Sequence, residues 1–147
     1  MSWKKGRGLL GPMQPMLGAW VADADMNGMA FPVTRTFTPV GKGWLKLEAV
    51  WGLPNGAYTE VALFGRGDDG TLGFFSFTSD GKRSVGRLAD GSDVHPVAVA
   101  FEAQMPAGLA RMVYWPRVSG PGFRFAVENR TKKGWNRFLV HHCRPLP

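Results

Sequence analysis

Residues 69–91 read DGTLGFFSFTSDGKRSVGRLADG, and this stretch decides the fold class. Asp-Gly pairs stand at Asp69-Gly70, Asp80-Gly81 and Asp90-Gly91, with alternating apolar residues between them. Asp-Gly between apolar runs is a strong β-hairpin signal, because both residues tolerate the positive φ that tight hairpin turns require. The stretch therefore predicts a meander of neighbouring antiparallel strands.

The β pattern continues on both sides of this stretch. The predicted strands are Gly18–Ala22, Phe31–Phe37, Trp44–Trp51, Ala57–Gly65, Leu72–Thr78, Arg83–Leu88, Val94–Phe101, Arg111–Val118, Phe123–Glu128 and Trp135–Cys143. A flat sheet of that many strands would leave exposed edges, so we expect closure into a barrel or folding into two packed sheets. We predict an all-β fold, a single closed antiparallel barrel of nine or ten strands. Residues 1–13 form an N-terminal extension in this reading, and residues 14–147 form the barrel domain, with a short plug over Met13–Leu17.

Length and composition fit this organisation. The chain has 147 residues, of which 44% are hydrophobic, so it can bury the core of one domain. Its twenty glycines and eleven prolines are scattered along the sequence. Scattered glycine and proline indicate frequent turns between short elements, which favours an all-β protein over one with long helices.

The sequence also carries signals about location. Residues 1–7 read MSWKKGR, but Leu9-Leu10 is followed at once by Gly11-Pro12, so no apolar signal-peptide core follows the basic start. No stretch approaches the ~18 continuous apolar residues of a membrane span. Cys143 is the one cysteine and cannot form an internal disulfide. We expect a cytoplasmic protein that does not enter a membrane.

Three motifs give the chain a family resemblance. Leu17-Gly18-Ala19-Trp20 resembles the Gly-x-Trp start of the calycins, the lipocalins and fatty-acid-binding proteins. The hairpin FFSFTSDGK over residues 74–82 and the closing strand GFRFAVE over residues 122–128 are similar to an uncharacterised bacterial branch of calycin-like barrels. The chain departs from secreted lipocalins, which usually carry a disulfide. It also departs from fatty-acid-binding proteins, since residues 23–30 are too short for a helical lid.

The resemblance implies a role for Trp20. In calycins this tryptophan closes one end of the barrel, often stacked beneath an arginine of the last strand. Here Arg137 or Arg144 is expected to take that place as a cation–π partner. The resemblance also implies that a ligand binds inside the barrel, without identifying it.

Several predicted strand faces mix aromatic residues with one or two polar groups, as a cavity for an amphipathic ligand requires. The candidate ligand-binding residues on these faces are Arg35, Glu48, Glu60, Phe74, Arg111 and Trp115. The competing interpretation places the charged faces outside and the opposite faces in a packed core, which is the usual arrangement of strands. We predict a non-enzymatic binder of a small apolar or amphipathic molecule, with no cofactor.

His141-His142-Cys143 resembles a metal signal. Adjacent strand residues point to opposite faces, so only His141 and Cys143 can converge, with His95 as a third candidate ligand. The spacing lacks the tight pattern of zinc sites, and we expect no metal. Some haem-binding calycin relatives carry a histidine on their last strands, which makes His141 or His142 a candidate axial ligand. We favour a hydrogen-bonded histidine near the barrel rim.

Two other function classes stay open as alternatives. Ser92-Asp93-Val94-His95 contains the residue types of a nucleophile and its base, but no nucleophile elbow or phosphate loop is present. The net charge of +7 raises nucleic acid as a partner, through Arg130, Lys132, Lys133 and Trp135. An oligonucleotide-binding barrel has about five strands. The predicted strand count therefore argues against nucleic acid.

Overall fold

The computed structural model describes residues 3–147 as ten antiparallel strands preceded by a short 3₁₀ turn over Gly11–Met16. The strands are β1 Gly18–Met26, β2 Met29–Val40, β3 Trp44–Trp51, β4 Tyr58–Arg66, β5 Leu72–Thr78, β6 Arg83–Ala89, β7 Val99–Met105, β8 Gly108–Pro116, β9 Phe123–Thr131 and β10 Gly134–Pro145. The 3₁₀ turn is the one helical element in residues 3–147. Within that range, no helix has the length and apolar character needed to span a bilayer.

Each strand pairs with its neighbours in the sequence, and the first strand pairs with the last. The order around the sheet is β1-β10-β9-β8-β7-β6-β5-β4-β3-β2, and Trp20↔Pro145 with Val21↔Arg144 closes it. The predicted all-β, closed antiparallel barrel of nine or ten strands is confirmed, with ten. Closure leaves no sheet edge unpaired, which explains how so many short strands form one stable sheet.

Two of the three Asp-Gly pairs turn the chain as the sequence predicts. Gly70 and Gly81 have φ values of 82° and 86°, in the left-handed region that glycine adopts without strain. The Asp69 carboxylate accepts a hydrogen bond from the Thr71 backbone N–H at 3.0 Å, which fixes the β4–β5 turn. These hairpins align β4, β5 and β6 as a meander.

The third Asp-Gly pair begins a longer loop, and the predicted strand Val94–Phe101 is wrong in its start. The strand β7 begins only at Val99. Residues 90–98 instead fold back over the outer wall, where Val94 and Ala98 pack on a small second cluster of buried residues. Pro96 has no backbone N–H to donate to a sheet, so this segment is poorly suited to a ladder.

The 3₁₀ turn closes one end of the barrel, where β1 begins and β10 ends. Met13 and Met16 are fully buried, and the Met16 carbonyl accepts a hydrogen bond from Trp20 Nε1 at 2.7 Å. The plug predicted over Met13–Leu17 is thereby present, and it draws Met13, assigned to the extension from the sequence, into the core. We call this the closed end. The opposite end, where the turns 27–28, 52–57 and 132–133 lie, is the open end.

Trp20 lies at the closed end, but not beneath an arginine. Its side chain is 8% exposed and meets the ring of Phe123 edge-on at 5.3 Å between centroids. The predicted arginine partners are engaged elsewhere. Arg144 is half-exposed and pairs with Asp23 at 3.3 Å, whereas Arg137 lies over the ring of Trp115. The stacking prediction is wrong, because the outward-facing side chains of β10 cannot reach a tryptophan inside the barrel.

Candidate functional site

A cavity of about 310 Å³ occupies the barrel interior towards the open end. Its walls are rich in aromatic residues, which include Trp51, Tyr58, Phe64, Phe74, Phe101 and Phe125. This volume is at the lower limit of the roughly 300–1,000 Å³ typical of small-molecule sites. An apolar interior of this size suits a small ligand, provided that a few polar groups fix its orientation.

Arg35 is the principal polar group of this cavity. It lies on the inward face of β2, between the buried side chains of Val33 and Phe37, and is only 3% exposed. Its Nη1 donates a weak hydrogen bond to Cys143 Sγ at 3.7 Å, and its Cζ lies 4.4 Å from the ring centroid of Phe125. No carboxylate in residues 3–147 forms an ion pair with it. Arg35 is therefore a buried cation whose guanidinium lines the cavity without a charged partner.

Glu60 and Ser76 form a second polar group on the cavity wall. The Ser76 hydroxyl donates to Glu60 Oε2 at 2.6 Å. In register, Arg35 pairs with Ala49 and Ala49 with Glu60, so the two charged residues are two strands apart at the same level of the barrel. Only the methyl group of Ala49 stands between them on the inner face. Arg35 and Glu60 thus frame one polar patch without forming an ion pair.

The other titratable groups near Arg35 are neutral. Burial raises the pKa of the Tyr114 hydroxyl, and it also raises the pKa of the Cys143 thiol. Burial, together with the nearby Arg35 cation, lowers the pKa of His141 to about 3. At neutral pH these three groups carry no charge. The positive charge of Arg35 is therefore not compensated by any of them.

No protein-family model matches the chain, and no curated protein matches it either. Of the six sequence-predicted cavity residues, the structure brings Arg35, Glu60 and Phe74 together on the cavity wall. Contact of these three with a ligand stays a prediction.

The other three sequence-predicted residues lie outside the cavity. Glu48 is exposed and pairs with Lys46 at 3.0 Å, since β3 turns Leu47 inward and Glu48 outward. Arg111 and Trp115 also point outward from β8, although both are buried. The prediction that they line the cavity is wrong. The loop over residues 90–98 covers this part of the outer wall, so the two side chains are as buried as core residues although they point away from the cavity.

Arg111 is the centre of an ionic network beneath that loop. Its guanidinium binds Asp93 through two hydrogen bonds of 2.7 and 2.8 Å, and it binds Glu128 at 2.6 Å. Arg137 contacts the other oxygen of Glu128 at 3.0 Å, and the ring of Trp135 lies 4.5 Å from the Arg111 Cζ. The hydrogen bonds from Arg111 hold the pKa of Asp93 below its usual range. The network fastens the loop to the barrel wall.

The metal candidates do not converge. His141 and Cys143 are buried on the inward face of β10, as the alternation predicts. His95 belongs to the outer loop, where its Nδ1 accepts a hydrogen bond from the Val97 backbone N–H at 3.2 Å. Across residues 3–147, no three His, Cys, Asp or Glu side chains are grouped closely enough to hold a metal ion.

The residues of the two alternative functions have other partners. Ser92 bonds with Asp90 through both its backbone N–H and its hydroxyl, while Asp93 is occupied by Arg111. No nucleophile–base pair therefore forms between Ser92 and His95. In the basic hairpin, the ring of Trp135 already contacts the guanidinium groups of Arg111 and Arg130, so a stacked base would compete with both.

No pattern in the sequence indicates which residues form the cavity mouth. Lys82, in the β5–β6 turn, and Arg83, the first residue of β6, line it on one side. Phe138 lines it from β10 and is 61% exposed. A register shift between Arg137 and Leu139 places Phe138 there. A β-bulge of this kind re-aims a side chain and leaves little trace in an alternation pattern.

Proposed function

We propose that the protein binds a small amphipathic molecule with an anionic head group inside the barrel and catalyses no reaction on it. The observation that carries this proposal is the Arg35 guanidinium, which lines an apolar cavity and has no carboxylate partner among residues 3–147. A carboxylate or phosphate of a ligand would supply that partner, since arginine binds planar anions through two parallel hydrogen bonds.

The energetics of a buried charge support this assignment. An unpaired cation inside a protein is unfavourable by several kcal/mol, so buried charges are usually paired. On the outer wall, Asp93 and Glu128 form ion pairs with Arg111, but no acidic residue among residues 3–147 forms an ion pair with Arg35. A buried charge that lowers the stability of the fold and has no partner within the protein is typical of a binding site.

The surroundings of Arg35 suit the rest of such a ligand. The aromatic walls would hold its apolar part, and Lys82 and Arg83 at the mouth would attract its negative charge. A closed antiparallel barrel with a Gly-x-Trp start is compatible with the calycin type, for which ligand binding inside the barrel is the implied mode. Cytoplasmic location is part of the proposal, since the free thiol of Cys143 suits a reducing compartment.

Replacing Arg35 with methionine tests the proposal. We expect Arg35→Met to weaken decanoate binding about 10- to 100-fold, as for loss of a charge-assisted hydrogen-bonded pair. We also expect the free energy of unfolding to rise by about 1–3 kcal/mol, because an uncompensated buried charge is removed and an apolar side chain of similar length replaces it. Calorimetric titration with decanoate and urea unfolding measure the two effects.

Arg87→Met is the matched control, since it removes the same charge from the exposed outer face of β6. It should leave decanoate binding within about twofold of the wild type. Equal decanoate affinity in the wild type and Arg35→Met would contradict the proposal. So would a large loss of stability in Arg35→Met, which would make Arg35 a structural residue held by Phe125 and Cys143.

A further inference from the structure

We infer that the cavity selects acids that carry a hydrogen-bond donor, a hydroxyl or amino group, on a carbon close to the carboxylate. This inference rests on the proposed function, because it takes the ligand's acid group to be bound at Arg35. It adds a role for Glu60, which would accept the hydrogen bond of that donor. The ligand class becomes the medium-chain 2- or 3-substituted acids rather than plain fatty acids.

Glu60 has one acceptor position free for a ligand. Its Oε2 accepts the Ser76 hydroxyl at 2.6 Å, and its Oε1 has no hydrogen-bond partner among residues 3–147. Ser76 is itself 2% exposed, so the serine holds the carboxylate on the cavity wall rather than in solvent. A carboxylate fixed in this way is an acceptor and not a donor. It favours a ligand that brings a hydroxyl or ammonium group.

The register fixes where that donor has to be. Arg35 and Glu60 are separated only by Ala49 on β3, so their Cα atoms are roughly 10 Å apart across two strand spacings. Both side chains line the same cavity, so one ligand can contact both. A donor within a few bonds of the ligand's carboxylate can reach Glu60, whereas one at the far end of an alkyl chain cannot.

The position of the aromatic residues sets the direction of the alkyl chain. Phe64 lies four residues beyond Glu60 on the same face of β4, nearer the closed end, and it pairs with Phe74 on β5. Phe101 contacts both rings, at 5.3 and 5.7 Å between centroids. The polar patch is thus nearer the open end and the apolar floor is deeper. The acid and its donor stay at the patch while the chain enters the aromatic floor.

Glu60 would also act against acids without a donor. Decanoate bound at Arg35 places a second negative charge near Glu60 with no hydrogen bond to offset the repulsion. A site built to hydrogen-bond a hydroxyl discriminates strongly against the analogue that lacks it, because its own polar group is then left unpaired. Glu60 therefore supplies selectivity and Arg35 supplies affinity.

Calorimetric titration with four acids tests the inference on the full chain. The probes are decanoate, 2-hydroxydecanoate, 3-hydroxydecanoate and 10-hydroxydecanoate. We expect the better of the 2- and 3-hydroxy acids to bind at least about tenfold more tightly than decanoate, with 10-hydroxydecanoate no better than decanoate. In Glu60→Met this preference should disappear, and decanoate should bind at least as tightly as to the wild type.

Failure of the inference is distinguishable from failure of the proposed function. Absence of binding by all four acids would overturn both. Arg35-dependent decanoate binding with no preference for a hydroxyl near the acid would overturn the role of Glu60 alone, as would a preference that persists in Glu60→Met. Should Glu60→Met not fold, Ser76→Ala replaces it, and a preference that is as large in Ser76→Ala as in the wild type contradicts the inference.

Discussion

Replacing Arg111 with alanine is expected to lower the free energy of unfolding by about 3–5 kcal/mol, the usual loss when one partner of a buried ion pair is removed. The arginine is 2% exposed, and its loss leaves the buried Glu128 with Arg137 as its remaining partner. It also releases Asp93, and with it the loop over residues 90–98. Urea unfolding monitored by tryptophan fluorescence measures the change.

The control for Arg111 is Arg144→Ala, which breaks the exposed pair with Asp23. An exposed pair contributes about 0–1 kcal/mol, so this variant should unfold almost like the wild type. Decanoate affinity should be unchanged in folded Arg111→Ala, since the arginine lies on the outer wall. A stability change below about 1 kcal/mol, typical of surface sites, would contradict the ionic network. Loss of decanoate binding in a folded Arg111→Ala variant would indicate that Arg111 lies inside the barrel.

Trp20→Ala is expected to destabilise the protein by about 3–5 kcal/mol, as for a large aromatic side chain truncated in a core. The substitution removes the packing contact with the ring of Phe123. It also removes the hydrogen bond to the Met16 carbonyl that holds the 3₁₀ turn in place. It also weakens the β1–β10 seam, where only a short ladder closes the barrel. Thermal and urea unfolding measure the loss.

Trp44→Ala is the matched control, because Trp44 is a half-buried tryptophan on the outer face of β3. Its truncation should cost clearly less than that of Trp20. Equal effects of the two substitutions, or a change below about 1 kcal/mol for Trp20→Ala, would show that the closed end does not depend on this side chain.

The barrel could be predicted because its determinants are local. Alternation marks each strand, and Asp-Gly at Gly70 and Gly81 supplies the positive φ that two of its hairpins need. The sequence predicts strand from Val94 because Val94 and Ala98 are apolar, whereas β7 begins only at Val99. Those two side chains pack against the outer wall of the barrel. Such contacts depend on tertiary structure and produce no periodic pattern of apolar residues in the sequence.

The candidate site was only partly predictable, because alternation sorts residues into two faces without saying which one is inside. Arg35 shares its face with Val33 and Phe37, so its inward position had a local signal. Glu48 could have been excluded by the same comparison, since Leu45 and Leu47 make the opposite face of β3 the more apolar one. No local comparison identifies Arg111 as an outer residue, because its neighbours are apolar as well.

A crystal structure of the wild-type protein with decanoate tests the central claim most directly. We expect the carboxylate within hydrogen-bond distance of the Arg35 guanidinium inside the barrel, and the alkyl chain against Phe64, Phe74 and Phe101. Decanoate bound only on the outer surface would contradict the account. So would an Arg35 side chain paired with Glu60 in a cavity that takes up no acid.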